Sequence, residues 1–456
     1  MKTMLLTLAA MFALSATAQD TTAVIQPRPV LEKPAAWTLQ QCIDYAKQQN
    51  ITIKKNRVNV RSAQLDLQDA KNARLPEVSF STSQNISNRP FQKNTAVVNG
   101  SQVITSSSKT SYSGNYGING SMTLYNGGRT KNNIKLQEIN TQIAQLAVDA
   151  SELNIEEQIT QLFVQILYSQ ETIKQDEEQI TLAQKQVDRA KALFKAGLLN
   201  KADVSQLESQ LATDKYQLVA DQTALDETKL QIKQLLELDG DENFEVAITS
   251  VDDDVLAPLP AKADVYAAAL NWRPEIKSQL LYIDRSDIDE QLARADSKPT
   301  INLSAGISTN NMTGNGNIFT QLKDQWSNGI GVSLTLPIYD HGKTRNAIEK
   351  ARLEKENYQL NLIDTQKSLW KTIEGYWHNA NSAQQRYIAA REKVKYARTS
   401  YELTSEQFRL GLKNIMELMT DMTNLTVSTQ QMLQAKYMEV LNAALLKYYQ
   451  GETINL

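Results

Sequence analysis

A single helical pattern covers an unusually long stretch of this chain. From Arg129 to Gly197 apolar residues recur at helical spacing, with no proline and no glycine before Gly197. A helix spanning Tyr125 to Gly197 would reach roughly 105 Å at about 1.5 Å per residue. Because ordinary globular helices contain about 8–20 residues, this pattern predicts a helix much longer than a compact domain accommodates.

The long stretch occurs twice. The corner Tyr125-Asn126-Gly127-Gly128-Arg129 is matched 214 positions later by Tyr339-Asp340-His341-Gly342-Lys343. The turn that follows the helix, 194–198, is matched at the same offset by 408–412. A constant offset gives the helix one length in both copies, so the chain is a duplication built on two long helices.

Period-two alternation predicts a β-hairpin before each long helix, at about 77–125 and about 300–338. The clearest strand, of about 14 residues, places Tyr112, Tyr116 and Ile118 on an apolar face and small polar residues on the other. A soluble sandwich would show the same alternation, but the length favours a tilted outer-membrane strand. The polar stretch 87–109 is predicted to be a loop.

Each repeat is predicted to contain a helix, a hairpin, a long helix, a turn and a returning helix. The first repeat is assigned to 19–250, with its turn at 197–200, and the second to 251–456, with its turn at 411–414. The opening helix of the first copy is predicted to be continuous from the N-cap Thr38 to just before Pro76.

The composition and the N-terminal residues argue against some classes of function. The 456 residues are 22% charged with a net charge of −3, which argues against nucleic acid as a partner. Residues 1–18 have the pattern of a signal peptide, whereas a membrane anchor would need a longer apolar run. Cys42 is the one cysteine, so an intramolecular disulfide is excluded, and we expect a buried thiol rather than a reactive one.

The four predicted strands cannot close into a barrel within one chain. Lipid tolerates no unpaired backbone, so membrane strands must close. Three chains would supply twelve strands, and the helices would project from the barrel as a tube. The predicted fold is therefore mostly α, with coiled-coil-like helices forming an α-barrel and with a membrane β-barrel part. Its lumen would be lined by polar residues: Ser111, Asn115, Asn119, Asn302 and Ser333.

The chain resembles the TolC family of outer-membrane efflux ducts across essentially its whole mature length. The resemblance rests on the two corners, on the two turns and on Arg273-Pro274-Glu275-Ile276. It implies a homotrimer in outer-membrane lipid with a twelve-helix tunnel across the periplasm. It also implies a periplasmic adaptor (membrane fusion) protein and an inner-membrane pump of the RND or ABC type as partners. The duct itself would hydrolyse nothing and need no cofactor.

The resemblance further implies that the helix turns form a periplasmic entrance, closed at rest. Asp203 and Glu417 each lie six residues after a turn glycine. In a trimer they would form a ring of six carboxylates, a cation-favouring constriction. The alternative is ordinary acidic charge at a helix N-terminus.

Other residues match family positions less directly. Lys413 matches a basic gating position and Phe408 an aromatic one, although Lys413 could equally be a solvated turn residue. The family's second acid falls on Thr420, with Asp421 next to it, about 100° away around the helix. The remaining candidates are the helix-turn residues Gly197, Asn200, Gly411 and Asn414, and the strand-to-helix corner residues Tyr125, Gly127, Gly128, Tyr339 and Gly342.

The sequence gives little support for catalysis or for metal binding. His341 and His378 are the only histidines, and no cluster has metal-ligand spacing. Met416, Met419 and Met422 are expected to pack rather than to bind a soft metal. No nucleophile–base pair is visible, so we expect no enzyme. The competing interpretation is a secreted trimeric coiled-coil scaffold or adhesin.

Overall fold

A computed structural model of the chain describes residues 34–91, 95–99, 102–106, 109–247, 257–313 and 317–454. The predicted signal peptide lies outside these residues, as does 248–256 between the two copies. The first copy contains α1 (Leu39–Gln49), α2 (Ile51–Asn72), β1 (Glu77–Asn88), β2 (Thr95–Asn99), β3 (Gln102–Ser106), β4 (Thr110–Asn126), α3 (Arg129–Lys195) and α4 (Lys201–Leu236).

The second copy repeats this order with a shorter hairpin loop. It contains α5 (Lys262–Trp272), α6 (Pro274–Ala295), β5 (Thr300–Met312), α7 (Ile318–Asp324), β6 (Ser327–Thr335), α8 (Lys343–Arg409) and α9 (Ile415–Gln450). The long helices α3 and α8 each have 67 residues, which is about 100 Å at 1.5 Å per residue. The predicted combination of long helices with four long antiparallel strands is confirmed.

Both opening helices are broken at equivalent positions, so the continuous helix predicted from Thr38 to Pro76 is wrong. Asn50 leaves the helical region with ψ of 128°, and its side chain caps α2 by accepting from Thr52 N at 2.9 Å. In the second copy the break is at Arg273, where Pro274 follows and disfavours helical geometry in the residue before it.

The four long strands form one antiparallel sheet in the order β1-β4-β5-β6. The central β4–β5 pair joins the two copies, with Gly120 opposite Ala305 and Ile118 opposite Ile307. A β-bulge between Thr123 and Tyr125 shifts the register by one residue. Because side chains alternate between faces, this shift brings Tyr125 onto the same face as Ile301.

The sheet has one apolar and one polar face. In register across β1, β4 and β5, Phe80, Ile118 and Ile307 share the apolar face. The opposite face carries hydrogen bonds between side chains of neighbouring strands, from Asn115 Nδ2 to Ser83 Oγ at 3.3 Å and from Asn119 Nδ2 to Ser81 Oγ at 3.4 Å. Further apolar positions on this face include Val78, Leu303, Ala305, Ile330, Val332 and Leu334, most of them strongly exposed.

Three sequence-based boundaries differ in the structure. The stretch 87–109, predicted to be a loop, contains the antiparallel pair β2–β3. The second hairpin loop contains the short helix α7. Strand β6 ends at Thr335, so the predicted hairpin limit of 338 is too late; Pro337 has no N–H to donate to a sheet ladder.

The helices pack in pairs along their length. Helix α3 packs on α4 and α8 on α9, while α2 and α6 both lie against α3. The largest core surrounds the middle of the long helices, where Phe163, Ile373 and Leu446 are almost fully buried beside Cys42. Burial raises the pKa of the Cys42 thiol to about 12, consistent with an inert side chain.

None of the helices in the described ranges carries an apolar segment long enough to cross a membrane.

Candidate functional site

The corners between sheet and long helix are made by left-handed residues. Gly127 and Gly128 have φ of +68° and +87°, and in the second copy His341 and Gly342 have φ of +57° and +79°. A Cβ on Gly127 would lie 2.7 Å from Lys298 Cβ and 2.8 Å from Ala295 O, whereas the space around Gly128 is open within the described residues. The first corner therefore needs glycine for close packing as well as for its backbone angle.

Each corner also caps the helix that follows it. Asn126 Oδ1 accepts from Thr130 N at 3.2 Å. At the equivalent place Asp340 accepts from Gly342 N at 3.0 Å and from Thr344 N at 2.8 Å. The hydrogen bonds from Thr344, followed by that from Gly342, hold the pKa of Asp340 below its ordinary value.

The far ends of the long helices are closed by two equivalent turns. Gly197 and Gly411 have φ of +75° and +72°. Leu198 N donates to Leu193 O at 3.0 Å and Leu412 N to Gln407 O at 2.9 Å. These bonds are those of a Schellman motif, in which a left-handed residue ends the helix and reverses the chain.

The two acids predicted for the entrance lie in the first turn of the returning helices. Asn200 caps α4 by accepting from Asp203 N at 2.8 Å. Asn414 caps α9 by accepting from Glu417 N at 3.0 Å, and Glu417 Oε2 accepts from Asn414 N at 3.3 Å. Glu417 thus completes a capping box at the start of α9, a local role that the sequence analysis did not predict, while the ring of six carboxylates stays a prediction.

Lys413 is tied to the same turn. Its Nζ lies 2.6 Å from Glu417 Oε1, and both side chains remain about two-fifths exposed. The hydrogen bond from Lys413, followed by the backbone bond from Asn414, lowers the pKa of Glu417, so this carboxylate is charged at neutral pH. Lys413 therefore offsets part of the charge that Glu417 would bring to an entrance.

Asp421 is engaged by the neighbouring helix of its own hairpin. Its Oδ2 accepts from Thr404 Oγ1 at 2.6 Å and from Ser400 Oγ at 3.0 Å, both on α8. Matching single residues of this chain to family positions did not predict these two hydroxyl donors. Their spacing of four residues, which puts them on one face of α8, was the available signal.

Phe408 belongs to a core that joins the ends of the two hairpins. Its side chain is buried with Val187 of α3, Leu207 of α4 and Leu418 of α9. Nearby, Gln186 Nε2 of α3 donates to Ser405 Oγ of α8 at 3.2 Å. The described structure thus brings both helix turns to one end of the molecule, where Phe408 packs between them.

Each turn at this end exposes apolar side chains. Leu198 is 74% exposed and Leu412 is 71% exposed, one at each turn. Phe194 and Leu410 are exposed beside them.

Within the described residues, no group of three or more His, Cys, Asp or Glu side chains is arranged to hold a metal ion.

The chain is similar in sequence to two curated outer membrane proteins. Outer membrane protein TolC of Salmonella enteritidis is 24% identical over 282 residues, which are 59% of this chain and 55% of TolC, so the match spans about half the length of that relative. Outer membrane efflux protein BepC of Brucella suis biovar 1 (strain 1330) is 21% identical over 406 residues, 88% of this chain and 82% of BepC.

The fold is also shared with solved channel structures. The crystal structure of CusC superposes with a TM-score of 0.78 at 17% identity, covering 93% of this chain and 96% of CusC. The sequence profile of one family, described as outer membrane efflux protein, matches residues 42–237 and 265–449, one range in each copy of the repeat. The chain therefore belongs to the outer membrane efflux protein family.

Proposed function

We propose that three copies of this chain form an exit duct through the outer membrane and the periplasm. The observation that carries this proposal is a four-stranded sheet with one apolar and one polar face, continued by two 67-residue helices. A wet, polar wall joined to long soluble helices fits a conduit for solutes.

Closure of the barrel follows from the free edges of the sheet. Within the described residues, β1 and β6 each pair with a strand on one side. Pairing β6 of one copy with β1 of the next would satisfy both edges and give twelve strands in a trimer.

The height of the apolar face supports a membrane location. Tyr125 and Tyr116 bound this face on β4, nine positions apart, with Tyr112 beyond Tyr116 and Tyr339 near the helix end. One of these nine positions is the extra residue of the β-bulge, so the two tyrosines lie eight residues apart along β5, opposite Thr309 and Ile301. At about 3.3 Å per residue and a tilt of about 40°, the band between them is about 20 Å tall, comparable with the roughly 25 Å of outer-membrane barrels flanked by aromatic girdles.

The partners in this proposal follow from the family rather than from a site on the chain. A periplasmic adaptor protein would dock on the helical end, and an inner-membrane pump of the RND or ABC type would supply the energy. The relatives TolC and BepC are named as outer membrane proteins, BepC for efflux. We infer that this chain passes cargo without hydrolysing it.

The duct is tested by location and conductance. We expect the mature protein in the outer-membrane fraction, and the purified trimer to produce discrete ion-conducting steps in planar bilayers. A trimer that is secreted and never conducts would contradict the duct and favour a coiled-coil scaffold or adhesin.

We further propose that Asp203 and Glu417 line the closed entrance, with Phe408 and Lys413 supporting it and Asp421 holding α9 to α8. The equivalence of the two acids, 214 positions apart at matching caps, supports six carboxylates near a threefold axis. Rings of charged side chains select ions of opposite sign.

Removing this charge should weaken block of the channel by trivalent cations. The double variant Asp203→Asn/Glu417→Gln keeps a capping-box side chain at 417, because glutamine also serves there. We expect the blocking concentration to rise about tenfold or more, which corresponds to about 1.4 kcal/mol. The measurement is the conductance of single channels titrated with the cation.

A matched control is Glu406→Gln, which removes an acid near the same turn that is paired with Arg409 on α8. This variant should keep the wild-type block. Equal block in the wild type and in the double variant would remove Asp203 and Glu417 from the entrance while leaving the duct itself standing.

A further inference from the structure

The first coiled coil carries acids in its packing seam. On α3, Ser169, Asp176 and Ala183 follow one another at seven-residue spacing, and all three are buried. On α4, Asp214 and Asp221 continue the seven-residue series that begins with the buried Leu207. Seam positions of coiled coils are normally apolar, because they face the partner helix.

The carboxyl groups of Asp176 and Asp221 meet across this seam. Asp176 is only 6% exposed. It lies 21 residues before Gly197 on α3, and Asp221 lies 21 residues after Asn200 on α4, so the two acids face each other across the antiparallel pair. Among the described residues, no donor reaches the buried Oδ2 atoms of Asp176 and Asp214. Asp214 Oδ1 accepts from Gln210 at 2.8 Å, and Asp221 Oδ2 accepts from Gln217 at 3.0 Å.

A proton supplies the missing donor. Two carboxylates in contact repel each other, but a carboxylic acid donates a strong hydrogen bond to a neighbouring carboxylate. Burial, followed by the hydrogen bond and the charge of Asp221 and then the charge of Asp214, raises the pKa of Asp176 to about 7. Burial also raises the pKa of Asp214.

Other charged groups near Asp176 lie in the cleft between the two hairpins. Helix α8 contributes both signs of charge, and α3 adds one more acid. In the described part of α9, the cleft is lined by uncharged side chains. The groups facing this cleft are Glu178 of α3, Arg398, Tyr401 and Glu402 of α8, and Leu425, Thr426, Thr429 and Gln430 of α9.

The second coiled coil has neutral residues at the same places. At the offset of 214, Asp176, Asp214 and Asp221 correspond to Ala390, Ser428 and Ala435. These three residues are all buried. At these three positions the seam of α8 and α9 therefore contains small neutral side chains. The carboxylate of Asp421, seven residues before Ser428, accepts hydrogen bonds from Thr404 and Ser400 and does not face a second acid in this series.

We propose that a proton shared by Asp176 and Asp221 holds α3 to α4, and that its loss to solvent loosens the first coiled coil but not the second. On loss of the proton, the O–H bond of the acid breaks and the proton passes to water. Two adjacent carboxylates remain in the seam. Proton release would thus act on one of the two hairpins that make up each copy's helical end.

The direction of the pH dependence follows from the raised pKa of Asp176. Between its ordinary value of 3.8 and about 7, the folded coil keeps a proton that the opened coil releases. The stability of this seam therefore falls as pH rises through that window and levels off above about pH 7.

Amide hydrogen exchange on the full-length trimer tests this inference. We expect protection factors, corrected for the intrinsic pH dependence of exchange, to fall about tenfold in 172–180 and 214–224 between about pH 5 and about pH 8. The equivalent segments 386–394 and 428–434 should change little; residues after 434 are left out because burial also raises the pKa of Glu439 on α9. Equal changes in both coiled coils, or no change in either, would overturn the proposal without requiring any variant.

Two substitutions on α3 sharpen the test. Asp176→Asn removes the titrating proton but keeps a donor toward Asp221, so the first coil should stay protected at both pH values. Asp188→Asn is the matched control, because Asp188 is exposed on the same helix, and it should retain the wild-type pH response. A pH response that survives in Asp176→Asn would contradict the assignment.

A second measurement connects the proton to the duct and rests on the proposed function. Conductance fluctuations of the wild-type channel should increase between about pH 5 and about pH 8, and those of Asp176→Asn should not. A complete absence of conductance would contradict only the proposed duct function, because hydrogen exchange tests independently whether Asp176 and Asp221 share a proton.

Discussion

Replacing Gly127 with alanine should strongly destabilise the junction between sheet and long helix. The left-handed backbone at φ of +68° costs an alanine about 1–2 kcal/mol. The new Cβ would also lie 2.7 Å from Lys298 Cβ and 2.8 Å from Ala295 O, and such overpacking costs about 1–3 kcal/mol more. Because each trimer would contain three such junctions, we expect a clear loss of assembled trimer. The measurement is the thermal midpoint of trimer dissociation.

Gly128→Ala is the matched control for this substitution. Its φ of +87° brings the same kind of backbone strain, but a Cβ at this position meets no atom within 4 Å among the described residues. We therefore expect only the strain cost of about 1–2 kcal/mol. Equal destabilisation by the two variants would show that backbone strain alone, and not contact with α6 and the segment after it, makes glycine necessary at 127.

The second large effect concerns the two faces of the sheet. Ala305 lies near the middle of the apolar face, between Gly120 and Ile330. An arginine on the lipid side of an outer-membrane barrel costs about 2–4 kcal/mol at the bilayer midplane. We expect Ala305→Arg to reduce the free energy of unfolding in lipid by this amount for each chain. The measurement is denaturant unfolding of the protein refolded into vesicles.

The neighbouring residue provides the control. Ser304 is exposed at the same height on the opposite, polar face, where its Oγ donates to Gly331 O at 3.4 Å. Ser304→Arg should leave the barrel stable and shift ion selectivity toward anions, because its charge would face the lumen. If Ser304→Arg is the destabilising variant and Ala305→Arg is tolerated, the inner and outer faces have been assigned the wrong way round.

The entrance residues were accessible to sequence reasoning only in part. Asp203 and Glu417 could be paired because both follow a turn glycine at the same distance in two copies. Their caps, Asn200 and Asn414, are local features, since a cap acts within a single helical turn. The contacts of Asp421 with α8 depend on how two distant helices face each other, and no local pattern specifies that rotation.

The breaks in the opening helices show a similar limit. Apolar spacing continued through Asn50, so periodicity predicted one helix. In the structure the Asn50 side chain caps α2, and its Nδ2 donates to Leu235 O at 2.9 Å, a partner 185 residues away. At Arg273 the following proline was a visible local signal, and its offset of 223 from Asn50 could have located the first break.

The sequence by itself determined the duplication, the length of the two long helices, and which strand residues share a face. These features depend on repeats and on periods of 3.6 and 2, which are local properties of a chain. Only the tertiary structure decided that β4 pairs with β5, that Phe408 packs between the two hairpins and that Asp176 meets Asp221. Each of these contacts joins segments far apart in sequence, so its geometry depends on how whole elements pack against each other.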